Sequence, residues 1–226
     1  MILMAPTTLY FLILLTTSLV SSSSLTDPTP KPWPLQFHST MIAKFENGTQ
    51  LEILDLWYDW PNGISMSIVQ KQLGKLLYGP EWNNGTSFSY SLDSSEECRV
   101  TQFDVGIVRP NWIEGAKYVG QEYMDGFLCN VWNKVDFIIY YEDVVSKRPV
   151  AWFFVQGGTN EHIMTFEVGK VLDRNYWQAP VYCFDDAAGQ KKNANMDILN
   201  SGAAVETGAY YESFLRSPGM KFKAGL

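Results

Sequence analysis

Two aspartates with aromatic residues between them form the first group in this sequence that could do chemistry. Asp55 and Asp59 flank Trp57 in the run DLWYDW, and a pair of carboxyl groups is what glycoside hydrolysis requires. On one strand, residues four apart lie about 13 Å apart at ~3.3 Å per residue, which is wider than the ~5 to 9.5 Å that separates such pairs. A catalytic pair would therefore have to come from different strands, with Glu142 and Asp143 as further candidates.

Other catalytic motifs are missing from the sequence. It contains no G-x-S-x-G, H-E-x-x-H, P-loop or G-x-G-x-x-G pattern. With His38 and His162 as the two histidines, a Ser-His-Asp triad would have to use one of them. No C-x-x-C pair occurs, so a zinc site built from Cys and His is not expected. The sequence favours a protein that is not an enzyme and uses no cofactor.

Turn dipeptides divide the chain into short strands. Asn-Gly or Asp-Gly occurs at positions 47–48, 62–63, 84–85 and 125–126, and Gly-Gly occurs at 157–158. Asn-Gly and Asp-Gly accept positive φ at both central positions of a turn, which predicts two-residue hairpins. The flanking runs, such as ISMSI at 64–68, alternate between apolar and small polar residues, as strands with one apolar face do.

These patterns predict a mainly β protein with few short helices. We expect a meander of about 8–11 antiparallel strands, folded into two stacked or strongly curved sheets around an apolar pocket. The predicted single domain spans 38–184. A Pro- and Ser-rich segment (25–37) precedes it, and a flexible or partly helical tail (185–226) follows it.

Several features indicate a secreted protein. The apolar run Leu9–Val20 is too short to span a bilayer and is followed by four serines, which predicts a signal peptide at 1–24 and no membrane span after its cleavage. Asn47 and Asn84 lie in N-x-T glycosylation motifs. Three cysteines in an oxidising compartment predict one disulfide and one leftover thiol. We expect an extracellular, cell-wall, vacuolar or lysosome-like location.

The net charge excludes one class of partner. The chain has a net charge of −7, whereas nucleic-acid binding needs a clustered basic face. The apolar faces of the strands instead suggest a pocket for an apolar molecule. The predicted lining residues are Ile64, Met66, Ile68, Phe88, Tyr90, Val131, Phe137, Ile139, Trp152, Phe154, Met164 and Phe166.

A family resemblance rests on the order of several motifs. LWYDWPNGISMSIV, GTSFSYSLDSSEEC, PVAWFFV, MTFEVGKV and APVYC resemble, in that order, the ependymin-related family. A plant branch of secreted proteins of unassigned function is more similar still, through WYDWPNG, DGFLCNVW, YYEDVV and QAPVYCF. The resemblance implies a fold like that of bacterial lipoprotein carriers and a possible homodimer. It also implies a disulfide between Cys98 and Cys183, with Cys129 free.

Three functions remain open at the level of sequence. The first is a secreted glycoprotein that binds a lipid or fatty-acid-like ligand in its pocket. The second is a carbohydrate-active enzyme that uses Asp55, Asp59, Glu142 or Asp143. The third is an extracellular interaction protein whose core is filled by its own side chains. No residue pattern in the sequence assigns a metal.

Overall fold

Strands make up a little over half of the described residues. The computed structural model describes residues 27–45, 51–135, 137–155 and 158–184. Two short 3-10 helices, Arg174–Tyr176 and Val181–Phe184, follow the last strand. The eleven strands are β1 (Gln36–Phe45), β2 (Leu51–Asp59), β3 (Ile64–Lys71), β4 (Leu76–Trp82), β5 (Thr86–Tyr90), β6 (Cys98–Gln102), β7 (Lys117–Met124), β8 (Phe127–Lys134), β9 (Ile138–Asp143), β10 (Pro149–Phe154) and β11 (Thr159–Val168).

All eleven strands belong to one antiparallel sheet in the order β6-β5-β4-β3-β2-β1-β11-β10-β9-β8-β7. Each half is a meander, and pairing between β1 and β11 joins the halves. The sheet is open, with β6 and β7 as its edges. The prediction of a mainly β, antiparallel fold with few short helices is confirmed. Two separate sheets are not observed, because the β1–β11 ladder makes the hydrogen bonding continuous.

The sheet must curve strongly to form its core. Val69 on β3 and Ile138 on β9 line one small cavity, although five strand spacings separate their strands. In a flat sheet that separation would be about 24 Å, at ~4.8 Å per strand. We call the face that carries these two residues the inner face and the opposite one the outer face.

The inner face is covered by segments outside the sheet. The main buried cluster takes Ile107, Val108, Trp112 and Ile113 from the β6–β7 connection, and Trp33 from the segment before β1 packs against it. The hydroxyl of Tyr58 donates to the Val108 carbonyl oxygen at 2.7 Å, which fixes the connection to β2. These segments take the place of a second sheet.

One predicted hairpin has the expected two-residue turn. Met124 pairs with Phe127 across Asp125-Gly126, and both turn residues have positive φ, +50° and +86°. The turn at Asn84-Gly85 differs, because β4 ends at Trp82 and three residues follow before β5 begins.

The turn at Asn62-Gly63 also corrects the prediction. Asp59 pairs with Ile64, so the loop has four residues rather than two. The Asn62 side-chain amide donates to Asp59 Oδ2 at 2.7 Å, and Gly63, at φ +63°, donates its N–H to the Trp60 carbonyl at 2.9 Å. The asparagine therefore supports the loop through its side chain, while the glycine supplies the positive φ.

Several predictions lie outside the described residues or on their border. The signal peptide at 1–24, the glycosylation motif at Asn47 and the tail at 185–226 all fall outside them. β1 begins at Gln36, and Trp33 already packs against the core, so part of the segment predicted to precede the domain belongs to it. The last 3-10 helix ends at Phe184, where the predicted domain ends.

The candidate binding cavity and the outer groove

A cavity lies between the inner face of the sheet and its cover. It has a volume of about 50 Å³, counted as space that the centre of a water molecule can reach. At ~10–15 Å³ per water on this measure, it would hold a few waters, so it takes a small group without rearrangement. The lining residues are Trp33, Met41, Ala43, Glu52, Leu54, Leu56, Val69, Val108, Trp112, Ile138, Trp152, Phe154 and Glu161.

Two carboxyl groups are set into this apolar wall. Ala43 on β1 pairs with Glu52 on β2 and with Glu161 on β11, so the two glutamates flank one alanine on the inner face. Ala43 carries only a methyl group, which leaves space above it for both longer side chains. Glu52 and Glu161 are each only 6% exposed.

Burial changes the acidity of both groups. Burial raises the pKa of the Glu161 carboxyl to about 7, against a hydrogen bond from the Trp152 indole that lowers it, and the charge of Glu52 adds to the rise. Burial also raises the pKa of Glu52, while the positive charge of Lys71 opposes the rise. Lys71 is the cross-strand neighbour of Glu52 on β3. The cavity wall therefore holds carboxyl groups that release their protons less readily than a surface glutamate.

A third buried carboxyl lies on the inner face further toward the β6 edge. Glu81 on β4 is 9% exposed, and burial raises its pKa to about 8. Its cross-strand neighbours are Ser65 and Ser87, both of which are buried. This part of the inner face is polar, whereas the cavity is mostly apolar.

The structure brings only two of the twelve predicted lining residues to the cavity. These are Trp152 and Phe154. Phe137 and Phe166 belong to the same buried cluster without lining the cavity. Met164 is 60% exposed, because a register shift between Thr40 and Met41 in the β1–β11 ladder changes the alternation there.

The three lining residues predicted on β3 lie on the outer face, not on the face of the cavity. Ile64 and Met66 pack against Trp177, with Ile68 beside them, whereas Val69 belongs to the main inner cluster. Both faces of β3 are covered, so alternation in the sequence could not tell which one faces the cavity.

The remaining predicted lining residues lie in two other buried clusters on the outer face. Phe88 and Tyr90 pack around Cys183. Val131 packs in a cluster with Cys129 and Ala151, and Ile139 packs against that cluster. The prediction that these four residues line the inner cavity is therefore wrong. It is also wrong for the three predicted residues on β3 and for Met164.

An open groove of about 470 Å³ lies on the outer side, beside the β2–β3 loop. Its carboxyl group is Asp59, which accepts hydrogen bonds from the Gln36 side chain at 3.0 Å and from Asn62. Further lining residues are Ile64, Trp82, Val171, Leu172, Arg174, Trp177 and Gln178. Among the described residues that line the groove, Asp59 supplies the one carboxyl group, so these residues offer no carboxyl pair for acid–base chemistry.

The four carboxylates predicted for a carbohydrate-active enzyme do not converge. Asp55 and Asp59 lie on the outer face, Glu142 is buried on the inner face and accepts a hydrogen bond from the Lys31 backbone at 3.3 Å, and Asp143 accepts one from Ser146 in a turn at 2.6 Å. The geometry gives this hypothesis no carboxyl pair among these residues.

Neither histidine is arranged as a catalytic base. The Nε2 atom of His38 lies 2.5 Å from Asp55 and its Nδ1 atom lies 2.8 Å from Glu167. Each ring nitrogen of His38 therefore already faces a carboxylate of the protein. His162 Nδ1 lies 2.7 Å from Asp125 on the outer surface.

Sequence reasoning missed Glu52 and Glu161 as site residues. A usable signal existed on β2, because Glu52 alternates in phase with Leu54 and Leu56. An acidic residue within an apolar face is a candidate for a buried functional carboxyl. The convergence of Glu52 with Glu161 depends on the β1–β11 pairing, which joins the two ends of the domain.

Cysteine pairing agrees with the expectation from the resemblance. Cys98 and Cys183 form a disulfide with Cα atoms 5.3 Å apart, and Cys129 is free and buried. Over the described ranges no three His, Cys, Asp or Glu side chains cluster closely enough to hold a metal ion. The described residues also include no helix with the length and apolarity needed to cross a membrane.

Comparison with known proteins gives a family and a distant structural likeness. Residues 32–183 match the family described as Domain of unknown function (DUF8395). No curated protein matches the chain. A solved structure of an uncharacterized conserved protein from Thermus thermophilus is similar at 10% identity with a TM-score of 0.49, over 66% of this chain and 87% of that one.

Proposed function

We propose that this chain, which belongs to the DUF8395 family, is a secreted glycoprotein that binds an apolar ligand in the inner cavity. The observation that supports the proposal is the cavity itself, where eleven of thirteen lining side chains are apolar. Ligand pockets are concave and mostly apolar, with a few polar groups that orient the ligand. The resemblance to the ependymin-related family remains a prediction alongside this proposal.

The size of the cavity limits how a ligand would bind. Pockets for drug-sized ligands measure roughly 300 to 1,000 Å³, well above the space found here. A larger ligand would therefore have to displace part of the cover. Trp33 and Trp112 are the obvious parts to move, because both line the cavity and neither belongs to a strand.

Secretion and glycosylation are proposed from the sequence, with compatible features in the structure. Asn84 lies exposed in the loop before β5, as an attached glycan would require. The Cys98–Cys183 disulfide is compatible with an oxidising compartment. The apolar run and serines at the start of the chain supply the signal peptide in this proposal.

The test is to purify the mature protein and to ask what it holds. Mass spectrometry of an organic extract should find an apolar molecule in stoichiometric amount, or the stripped protein should bind an apolar fluorescent probe. If neither is found, the cavity is a packing defect and the hypothesis of a filled core replaces this proposal.

A matched pair of variants ties binding to the cavity. Ala43→Leu puts side-chain carbons into the space, which excludes two or three ligand carbons worth ~0.8 kcal/mol each and weakens binding roughly 15- to 60-fold. Ile42→Leu changes the neighbouring residue on the outer face and should leave the affinity unchanged. Equal loss in both variants, or in neither, would contradict binding in the inner cavity.

A further inference from the structure

Few hydrogen-bond donors of the described residues reach the carboxyl pair in the inner cavity. Glu52 is 6% exposed, lines the cavity and accepts no hydrogen bond from any residue in the described ranges. Glu161 accepts one hydrogen bond, from the Trp152 indole to Oε2. At least three carboxyl oxygens are therefore left to accept hydrogen bonds from whatever enters the cavity.

The placement of the pair favours a ligand that donates hydrogen bonds. The two residues flank Ala43 on the inner face and both line the same cavity, so one small polar group above Ala43 could reach both. A buried carboxylate is costly unless it is paired or hydrogen-bonded. An ammonium group supplies three N–H donors and a positive charge, whereas a second carboxylate would add repulsion.

We propose that Glu52 and Glu161 make the inner cavity selective for apolar amines. The ammonium end lies above Ala43 between the two carboxyl groups, and the alkyl chain lies along Leu54, Leu56 and the aromatic cover. This inference rests on the proposed function and narrows it, because a fatty-acid anion is the wrong ligand for such a wall. The positive charge of Lys71 lies beside Glu52 and repels an ammonium group. Glu161 is therefore the stronger anchor for the ammonium end of the ligand.

The experiment compares three ligands that share a chain and differ at one end: hexylamine, hexanol and hexanoate. At pH 7.5 the first is a cation, the second is neutral and the third is an anion. Isothermal titration of the mature protein should give hexylamine at least about tenfold tighter binding than hexanoate, with hexanol between them. If hexanoate binds as tightly as hexylamine, the inference is overturned.

Variants of the two glutamates test whether they cause the preference for the amine. Glu52→Gln and Glu161→Gln together should reduce the preference for hexylamine over hexanol to about twofold or less while hexanol still binds, which shows that the cavity has stayed intact. Glu167→Gln, on the exposed outer face, is the matched control and should keep the preference. An unchanged preference in the double variant overturns the inference alone. Failure of all three ligands to bind overturns both it and the proposed function.

Discussion

The indole nitrogen of Trp33 lies 3.3 Å from the hydroxyl oxygen of Tyr140, although 107 residues separate them. The Trp33 backbone N–H also donates to the Pro110 carbonyl at 2.8 Å. Its ring packs edge-on against Trp112 with a centroid distance of 5.3 Å. One side chain therefore connects the segment before β1, the β6–β7 connection and β9 above the cavity.

Replacing Trp33 should loosen the contacts among these three segments. Trp33→Ala is expected to lower the free energy of unfolding by roughly 2 to 4 kcal/mol, in the lower part of the range for aromatic truncations because Trp33 is only half-buried. Trp33→Phe keeps much of the ring packing and loses the hydrogen bond, for a cost of about 1 kcal/mol. Urea denaturation measures both. A change below about 0.5 kcal/mol in the alanine variant would show that Trp33 is not part of the core.

The raised pKa of Glu161 predicts a dependence of stability on pH. Between its ordinary pKa of 4.5 and about 7, the folded protein keeps a proton that the unfolded chain has released. The contribution of Glu161 to the free energy of unfolding should therefore fall as the pH rises through this window, by an amount on the order of 3 kcal/mol. Thermal denaturation at half-unit steps from pH 4.5 to 8 would measure the slope.

Glu161→Gln should flatten that slope, because an amide does not titrate. Some slope should remain from Glu81, whose pKa is raised from 4.5 to about 8, so Glu81→Gln should reduce the slope over that whole range and should remove most of it above the pKa of Glu161. If the slope is identical in the wild type and Glu161→Gln, this carboxyl is not buried in the folded protein.

Cys129 should resist alkylation in the folded protein. Its side chain is fully buried, and burial raises the pKa of its thiol to about 11, so little reactive thiolate is present at pH 8. Iodoacetamide followed by mass spectrometry should label no cysteine in the folded state. One cysteine should be labelled in urea, and three in urea with a reductant. Rapid labelling of the folded protein would contradict the buried position.

The Cys98–Cys183 disulfide should contribute substantially to stability. It closes a loop between residues 85 apart in sequence, which corresponds to about 4.5 kcal/mol on the chain-entropy account. Replacing both cysteines with serine should lower the free energy of unfolding by about that amount. Cys129→Ser is the control for a cysteine outside the disulfide. It should lower the free energy of unfolding by less than the replacement of Cys98 and Cys183.

The pKa of Glu167 should depend on His38. The hydrogen bond from His38 holds the pKa of Glu167 below its ordinary value of 4.5, with a smaller contribution from Lys170. His38→Phe preserves a ring to stack on Trp57 but removes both ring nitrogens, so the pKa of Glu167 should rise. Carboxyl carbon chemical shifts in an NMR titration report it directly. A larger effect from Lys170→Ala than from His38→Phe would reverse the assignment.

Local sequence signals predicted the strands well, because alternation and turn residues act over a few positions. Asp125-Gly126 forms the expected turn because both residues adopt positive φ. Asn62-Gly63 does not, because a side chain bound to Asp59 stabilises a longer loop. A turn dipeptide therefore locates a hairpin more reliably than it sets the length of its loop.

The inner face could not be predicted in the same way. β3 is covered on both faces, by the main core over Val69 and by Trp177 over Met66, so its apolar pattern has two equally good interpretations. The carboxyl pair depends on contact between strands at opposite ends of the domain. Such pairing is set by tertiary structure, and no local pattern in Glu52 or Glu161 encodes it.

Because the sheet stays open, its two outermost strands expose backbone groups that could recruit another chain into a fibril. The two strands differ in how this hazard is reduced. β6 is only five residues long, and its first residue is covalently linked to the end of the domain. β7 carries Lys117 and Glu122 and is interrupted by a bulge between Tyr118 and Gly120. Charges, bulges and short length are how natural sheets discourage edge-to-edge pairing with another chain. Reduction of the disulfide removes one of these protections from β6, so the reduced protein should aggregate first through β6.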